Sequence, residues 1–496
     1  MGQTLAVAFP STVLVAAAFA LALAGLLQYR LVARTSPQLR VAAALFVIGF
    51  GALLSVALTQ RSLDESSTGQ RGILFYEDFA SGFTASRWIS LILLGAALIE
   101  IIRGFLRKRL ASVPDPAWPL LASMLIFYLG TLLVLGTLSE HVGFSYQELY
   151  LPIVLLAVYY QPVRDLRLIL GAAKLVVLAL TLGSLLGIAV RPDFVMHRPD
   201  SGIIPGVEWR LFGLTTHANT LGPVALLGVL LELYSPSKRK WLGRLGVAAA
   251  LAALVLAQSR TAWVAALLIA VFIYVPLALV PKRGFAEEKR GFSHAVWTLT
   301  GCILLLIALA VGFTALENSR NLELQADLGS LNGRVVIWDI TIDAWRENIL
   351  FGYGPKLWGF ERQIRFNMFH VGHAHNQFLQ TLGEAGVVGM VLLTTQLLTL
   401  FYAACHQFVA TRGFVFSLLI LLLTRCVTEA PLRSEGLLSW ATFVHVVLMA
   451  AACHHMRQSA DASISDAKSL PDPGESAGQH QPRQSRFSFN FGGSTT

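Results

Sequence analysis

Apolar stretches of bilayer-spanning size recur along this chain, separated by short polar connections. They fall near 11–29, 41–59, 88–105, 117–138, 149–160, 168–190, 211–234, 245–258, 261–280, 296–316, 385–404, 413–428 and 437–455. A helix needs roughly 20 apolar residues to cross the hydrocarbon core. Backbone in that core must satisfy its own hydrogen bonds, so repeated runs of this kind read as helices. The pattern predicts an all-α, polytopic integral membrane helix bundle with 12 or 13 transmembrane helices. The short run at 149–160 and the pair meeting at 258–261 decide between the two counts.

Charge orients the bundle. Basic clusters occupy alternate connections: Arg30/Arg34/Arg40, Arg103/Arg107/Lys108/Arg109, Arg164/Arg167, Lys238/Arg239/Lys240/Arg244, Lys282/Arg283/Lys289/Arg290, Arg412 and Arg457. Short loops rich in Lys and Arg stay on the cytoplasmic side. The opposite side then receives 60–87, 139–148, 191–210, the turn at Ser259-Arg260, the long segment 317–384, and 429–436.

Four regions follow. Residues 1–316 form the first part of the bundle, and 317–384 form a large extracytoplasmic loop expected to carry the chemistry on short helices. Residues 385–456 complete the bundle, and 457–496, rich in Ser, Gly, Pro and Gln, are expected to be a disordered cytoplasmic tail. Inside the long loop, Trp338, Ile342, Trp345 and Ile349 recur at helical spacing. Such a helix suits either the membrane surface or a seat on its own protein.

Composition agrees. The chain of 496 residues is 55% hydrophobic and 14% charged, with a mean hydropathy of +0.62; soluble domains carry about 25% charged residues. The net charge of +9 fits cytoplasmic basic loops and gives no reason to expect nucleic acid. The first apolar stretch lacks a basic start and a small-residue cleavage site, so it reads as a retained membrane helix. Four cysteines, Cys302, Cys405, Cys426 and Cys453, lie in or beside apolar runs with no metal or disulfide spacing.

The stretch "FHVGHAHNQFLQTLGEAGVVGMV" (369–391) puts His370, His373 and His375 at the mouth of an apolar run. They read as polar residues of a solvated loop, as zinc ligands, or as a general base at the bilayer surface. Composition leaves all three open. Their company narrows the choice. Arg210, Arg260 and Arg334 fall on the same side of the membrane, and an arginine between apolar runs, as in "LVLAQSRTAWVAALL", is expensive in lipid and usually marks a site. Guanidinium forks grip phosphate oxygens in pairs, so arginines near a histidine suit a substrate with a diphosphate head and a lipid tail.

These residues carry a resemblance. His375-Asn376, nine residues, Gly386, two residues and Gly389 match the signature of the O-antigen ligase and polymerase superfamily of bacterial inner-membrane proteins. "RLFGLTTHANTLG", "SRTAWVA", "GRVVIWDITIDAW" and "FGYGPKLW" are similar to other stretches of that family, in family order, over about 210–390. The resemblance implies a bundle of about a dozen helices with a large periplasmic loop, which takes a glycan from undecaprenyl diphosphate without a metal or other cofactor. The acceptor would be lipid A–core for a ligase or another lipid-linked glycan for a polymerase. It implies that His375 is the general base and that Arg260 and Arg334, with Arg210 as a further member, hold the diphosphate. His373 would orient the acceptor or the base. Asn376 and Glu384 fit the motif without a role that follows from it. The chain has no D-x-D pair of the kind that binds a metal–nucleotide sugar. The competing expectation is a transporter or flippase of a lipid-linked or anionic substrate, with Lys174, Glu232 and Arg260 as pathway charges.

Overall fold

The computed structural model describes residues 36–59, 80–108, 115–143, 146–163, 165–197, 204, 207–274, 331–366, 368, 371–433 and 436–469. The chain is an all-α polytopic membrane protein. In chain order its helices are α1 (Pro37–Thr59), α2 (Ala80–Lys108), α3 (Trp118–Thr137), α4 (Tyr150–Tyr160), α5 (Arg167–Val190), α6 (Ala218–Tyr234), α7 (Lys240–Leu256), α8 (Arg260–Ile269), α9 (Leu331–Glu347), α10 (Phe360–Arg365), α11 (Gln377–His406), α12 (Phe414–Thr428) and α13 (Trp440–Ser469). Among the described residues four helices, over Trp88–Leu106, Trp118–Thr137, Arg167–Val190 and Gln377–His406, are long and apolar enough to cross a membrane. The expected runs at 11–29 and 296–316 lie outside the described residues.

One continuous core of Leu, Val, Ala and Phe joins helices from both halves of the bundle. Helix α11 packs against α3, α9 and α12, and α8 packs against α12. Helix α9 is therefore seated on α11, in the bundle's second half.

Three expectations need correction. The apolar run beginning at 211 becomes helix only at Ala218. Arg210–Leu211 first pair as a short strand, β2, with Met196–His197, β1. Gly213, at φ 59, then turns the chain, and His217 caps α6 through its Nδ1 on the Asn219 N–H at 3.0 Å. Second, the segment expected to be a disordered tail from 457 continues as helix to Ser469; residues 470–496 lie outside the described residues. Third, Gln377–Glu384, assigned to the loop, are already helical as the start of α11.

One face of helix α9 sits on its own protein. Ile337, Ala344, Leu357, Trp358, Val371 and Ala374 make a small satellite core, with Trp338 packed against it.

Helix α11 breaks at Gly386, where φ is 63 and ψ is −158. The broken groups find new partners in 349–354. The N–H groups of Val387 and Val388 donate to the carbonyls of Ile349 (3.0 Å) and Leu350 (3.1 Å). The carbonyls of Gly383 and Glu384 accept from Tyr353 (2.8 Å) and Gly354 (3.0 Å). A backbone group left unpaired away from water costs about as much as a lost hydrogen bond, so this exchange is what makes the break tenable. It also explains the glycines. A Cβ on Gly386 would meet the Leu350 carbonyl, and one on Gly352 would stand 2.5 Å from the Glu384 carbonyl carbon.

Candidate active site

The segment 371–376 is held from every side. Gln363 donates to the Val371 carbonyl (2.9 Å), Arg433 to the Gly372 carbonyl (2.7 Å) and Trp338 Nε1 to the Ala374 carbonyl (3.0 Å). The Ala374 N–H donates to Gln380 Oε1 at 2.6 Å. Asn376 accepts at Oδ1 from the N–H groups of Phe378 and Leu379 (2.9 and 3.0 Å) and donates to the Val427 carbonyl (3.1 Å). It is the N-cap of α11 and a strap to the end of α12, a role that supplies orphan helix donors with an acceptor.

So braced, His375 adopts φ 49, in the left-handed region. A non-glycine residue rests there only when its surroundings over-determine it, and such residues cluster at functional sites. Gln258, two residues before Arg260, shares this backbone state at φ 47. Its buried amide donates to the Trp209 carbonyl (2.7 Å) and accepts from the Ile204 N–H (3.1 Å). Arg260 is thus launched from a pinned residue as the first residue of α8.

At the centre lies Glu429, just past α12. His375 Nδ1 is 3.1 Å from Glu429 Oε2, and His373 Nε2 is 3.7 Å from the same oxygen. An ionised carboxylate only accepts, so His375 donates from Nδ1 and keeps the Nε2 lone pair. His373 is fixed in the other tautomer, because its Nδ1 accepts the His375 backbone N–H at 3.0 Å. The two rings meet edge to face with centroids 4.1 Å apart.

Electrostatics follow from burial and neighbours. Burial, then the His375, Arg433 and Arg334 charges, push His373 down to about 3 against the pull of Glu429, so it is neutral near pH 7. Burial would raise the Glu429 carboxyl, but the His375 hydrogen bond and the neighbouring imidazoles and Arg334 outweigh it and hold it below the carboxylate range.

Two of the three arginines, Arg334 and Arg210, act directly on this group, and Arg260 acts on Arg210. Arg334, in the first turn of α9, couples to both His373 and Glu429. Arg210, on β2, couples to Glu429 and Arg260; burial and the Arg260 charge lower its proton affinity. Glu384 does not join the histidines; its electrostatic neighbours are Arg433, Glu148 and Gln380. His370 lies outside the described residues.

Ligand atoms of His373, His375 and Glu429 lie within 4.8 Å of one another, the one grouping among the described residues with the spacing of a metal site. Their immediate neighbours are Arg334, Arg433 and, through Glu429, Arg210. A cluster ringed by permanent positive charge favours an anion over a dication.

Sequence reasoning missed Glu429, Arg433 and Asn219. The usable signal for the first two was "TEAPLR" (428–433): two charges crowded into a short extracytoplasmic turn directly after an apolar run.

Fold and site together define an all-α polytopic membrane protein with a histidine–carboxylate pair that has arginines as electrostatic neighbours. Residues 245–394 match a protein family described as O-Antigen ligase. Over 203 residues, 38% of this chain, it is 27% identical to the exopolysaccharide production protein ExoQ of Rhizobium meliloti (strain 1021), of which 46% is covered. The chain thus spans about half the length of this curated relative. Both are similarities over part of the chain, one to the O-antigen ligase family and one to an exopolysaccharide production protein. The matched stretch contains Arg260, Arg334, His373, His375, Asn376 and Glu384, but neither Arg210 and Asn219 nor Glu429 and Arg433.

Proposed function

We propose that this protein is a glycosyltransferase of bacterial cell-envelope polysaccharide assembly, sited in the inner membrane with its active site on the periplasmic face. It moves a glycan from undecaprenyl diphosphate to an acceptor sugar hydroxyl, as an O-antigen ligase or a repeat-unit polymerase, without a metal. The observation that carries this reading is the commitment of His375 Nδ1 to Glu429, which leaves Nε2 as a proton acceptor among arginines.

In this mechanism Nε2 of His375 takes the acceptor hydroxyl proton as the oxygen attacks the anomeric carbon. The bond from that carbon to the diphosphate oxygen breaks, and undecaprenyl diphosphate leaves with the electron pair. The new glycosidic bond has inverted configuration. Arg260, Arg334 and Arg210 bind the diphosphate and stabilise the charge that grows on it, the work a metal ion does in other transferases. General-base help of this kind contributes typically ~10²–10⁴-fold. Glu429 keeps the imidazole in the useful tautomer and stabilises it once protonated. Ligase and polymerase differ only in acceptor: lipid A–core in the first case, a second lipid-linked glycan in the second.

A transporter reading has less support. Lys174 and Glu232 pair with each other at 3.4 Å, and both hold Ser237, so they are a structural pair between α5 and α6.

The test compares surface and carrier-linked glycans from cells lacking the gene, complemented with wild type or His375→Ala. Long chains stranded on the lipid carrier mean a ligase, and single repeats without a ladder mean a polymerase. A wild-type pattern restored by His375→Ala would remove the general-base reading.

A further inference from the structure

Asn219 has a placement that the family match does not reach. It is the second residue of α6, with its backbone N–H held by the His217 ring. Its side chain bridges two functional groups. Arg210 Nη2 donates to Asn219 Oδ1 at 3.1 Å, and Asn219 Nδ2 donates to Glu429 Oε1 at 2.9 Å. Glu429 Oε2 then receives His375 Nδ1 at 3.1 Å. Four side chains from four separate stretches form one unbroken hydrogen-bonded chain.

The amide's orientation is dictated by its partners. A guanidinium only donates and a carboxylate only accepts, so Oδ1 must face Arg210 and Nδ2 must face Glu429. No other uncharged side chain of this length both accepts from the one and donates to the other. Aspartate has the shape but not the donor. Arg210 is further pinned by its Nε on the Ala257 carbonyl at 3.2 Å, one residue before Gln258 and three before Arg260. The bridge therefore ties the start of α6, the end of α7 and the turn after α12.

We propose that Asn219 is a positioning residue that joins the donor-binding arginines to the carboxylate behind the base, so that donor grip and base orientation are set together. This rests on the reading of His375 as base and Arg210 as diphosphate ligand. Its consequence is thermodynamic. Groups facing the His375–Glu429 pair are His373 on the same segment, Arg334 from α9, Arg433 from the turn beyond α12, and Arg210 from β2, with Arg260 beside it on α8. Asn219 is the neutral member that keeps Arg210 and Glu429 from collapsing into a direct ion pair. A direct pair would occupy the arginine that should meet the donor.

The test uses the full-length, detergent-purified protein and two readouts independent of turnover. The first is the pH midpoint of His375 carbethoxylation by diethyl pyrocarbonate, followed by peptide mass spectrometry. The second is the affinity for inorganic diphosphate. In Asn219→Asp, a second carboxylate faces Glu429 and claims Arg210. The added negative charge favours imidazolium, so the His375 midpoint moves up by roughly one unit. Diphosphate affinity falls at least about fivefold, the low end of coupling between sites. Asn219→Ala removes both bonds without adding charge and lets Arg210 pair directly with Glu429, so diphosphate affinity again falls while the His375 midpoint moves down, opposite to Asn219→Asp. Wild-type values for both readouts in both variants would overturn the proposal. So would a change in diphosphate affinity alone, which would leave Asn219 in the donor subsite only. The underlying reading fails separately: diphosphate affinity in Arg210→Ala would match wild type, or His375→Ala would restore surface glycan in cells.

Discussion

His375 and Glu429 stand 54 positions apart in the chain, yet 3.1 Å separates the Nδ1 of one from the Oε2 of the other. This contact determines which imidazole nitrogen can act. In Glu429→Gln the amide can donate as readily as accept, so the tautomer is no longer imposed and the countercharge is gone. Transfer by the purified protein should fall by about 10²-fold or more, within the range of general-base catalysis. Glu429→Asp, shorter by one methylene, should retain part of the activity. Equal rates for Glu429→Gln and wild type would separate Glu429 from the chemistry.

Arg260 and Arg334 are expected to work through the planar fork and not through charge alone. Arg260→Lys and Arg334→Lys keep the charge and lose the paired bonds. Each should lower the transfer rate by about 10- to 100-fold, near the scale of removing one preorganised donor. Unchanged rates in both would show that no bidentate contact is made.

The break in α11 gives a backbone test. Gly386→Ala forces a Cβ into the Leu350 carbonyl at a φ of 63. The cost should be about 1–3 kcal/mol, as for other strained backbone sites. A lower unfolding temperature in detergent is expected, with a larger loss of transfer because 349–354 would no longer dock. An unaltered melting curve would mean that the break tolerates a side chain.

The His373 ring predicts a pH dependence of stability. Its folded proton affinity is depressed to about 3 from 6.5, so the unfolded chain binds more protons between those values. Its contribution is therefore complete above pH 6.5 and is lost as pH falls toward 3, at no more than about 1.4 kcal/mol per unit. Glu429, depressed from 4.5, adds its own loss only below that value. Between pH 4.5 and 6.5, His373→Asn should therefore melt with a shallower pH slope than wild type. Parallel slopes would mean that His373 is not held neutral.

Metal removal is the sharpest contrast with the zinc alternative. Transfer should survive dialysis against EDTA without loss, since arginines carry the electrostatic load. Activity lost to EDTA and restored by Zn²⁺ would transfer the role of His373, His375 and Glu429 to metal binding.

The sequence carried much of this plan, and where it failed the reasons are physical. Helices were legible because lipid demands a long apolar run for each crossing, and His375-Asn376 stood out because polar residues at such a mouth are rare. The α6 start was missed because Leu211 to Leu214 are apolar yet serve a strand and turn. Only Gly213 and the His217 cap mark the boundary. Asn376 looked like part of a chemical signature, but its capping bonds show why an Asn belongs there. Glu429 and Asn219 were invisible for another reason: 210 positions separate them, and each looks ordinary in its own stretch. Their meaning exists only where the start of α6 and the end of α12 lie side by side.

The stitched break at Gly386 has one more consequence. The strands of backbone that cross-link 349–354 to 383–388 also receive Glu140 and His141, whose N–H groups donate to the carbonyls of Gly352 (3.0 Å) and Tyr353 (2.8 Å). The segment 349–354 is thereby keyed to the end of α3 and to the break in α11 at one level of the bundle. A headgroup held in a lipid leaflet has a set depth, and on the proposed function this lacing would fix the level at which the backbone around the α11 break meets it, so that elevation is set before chemistry begins.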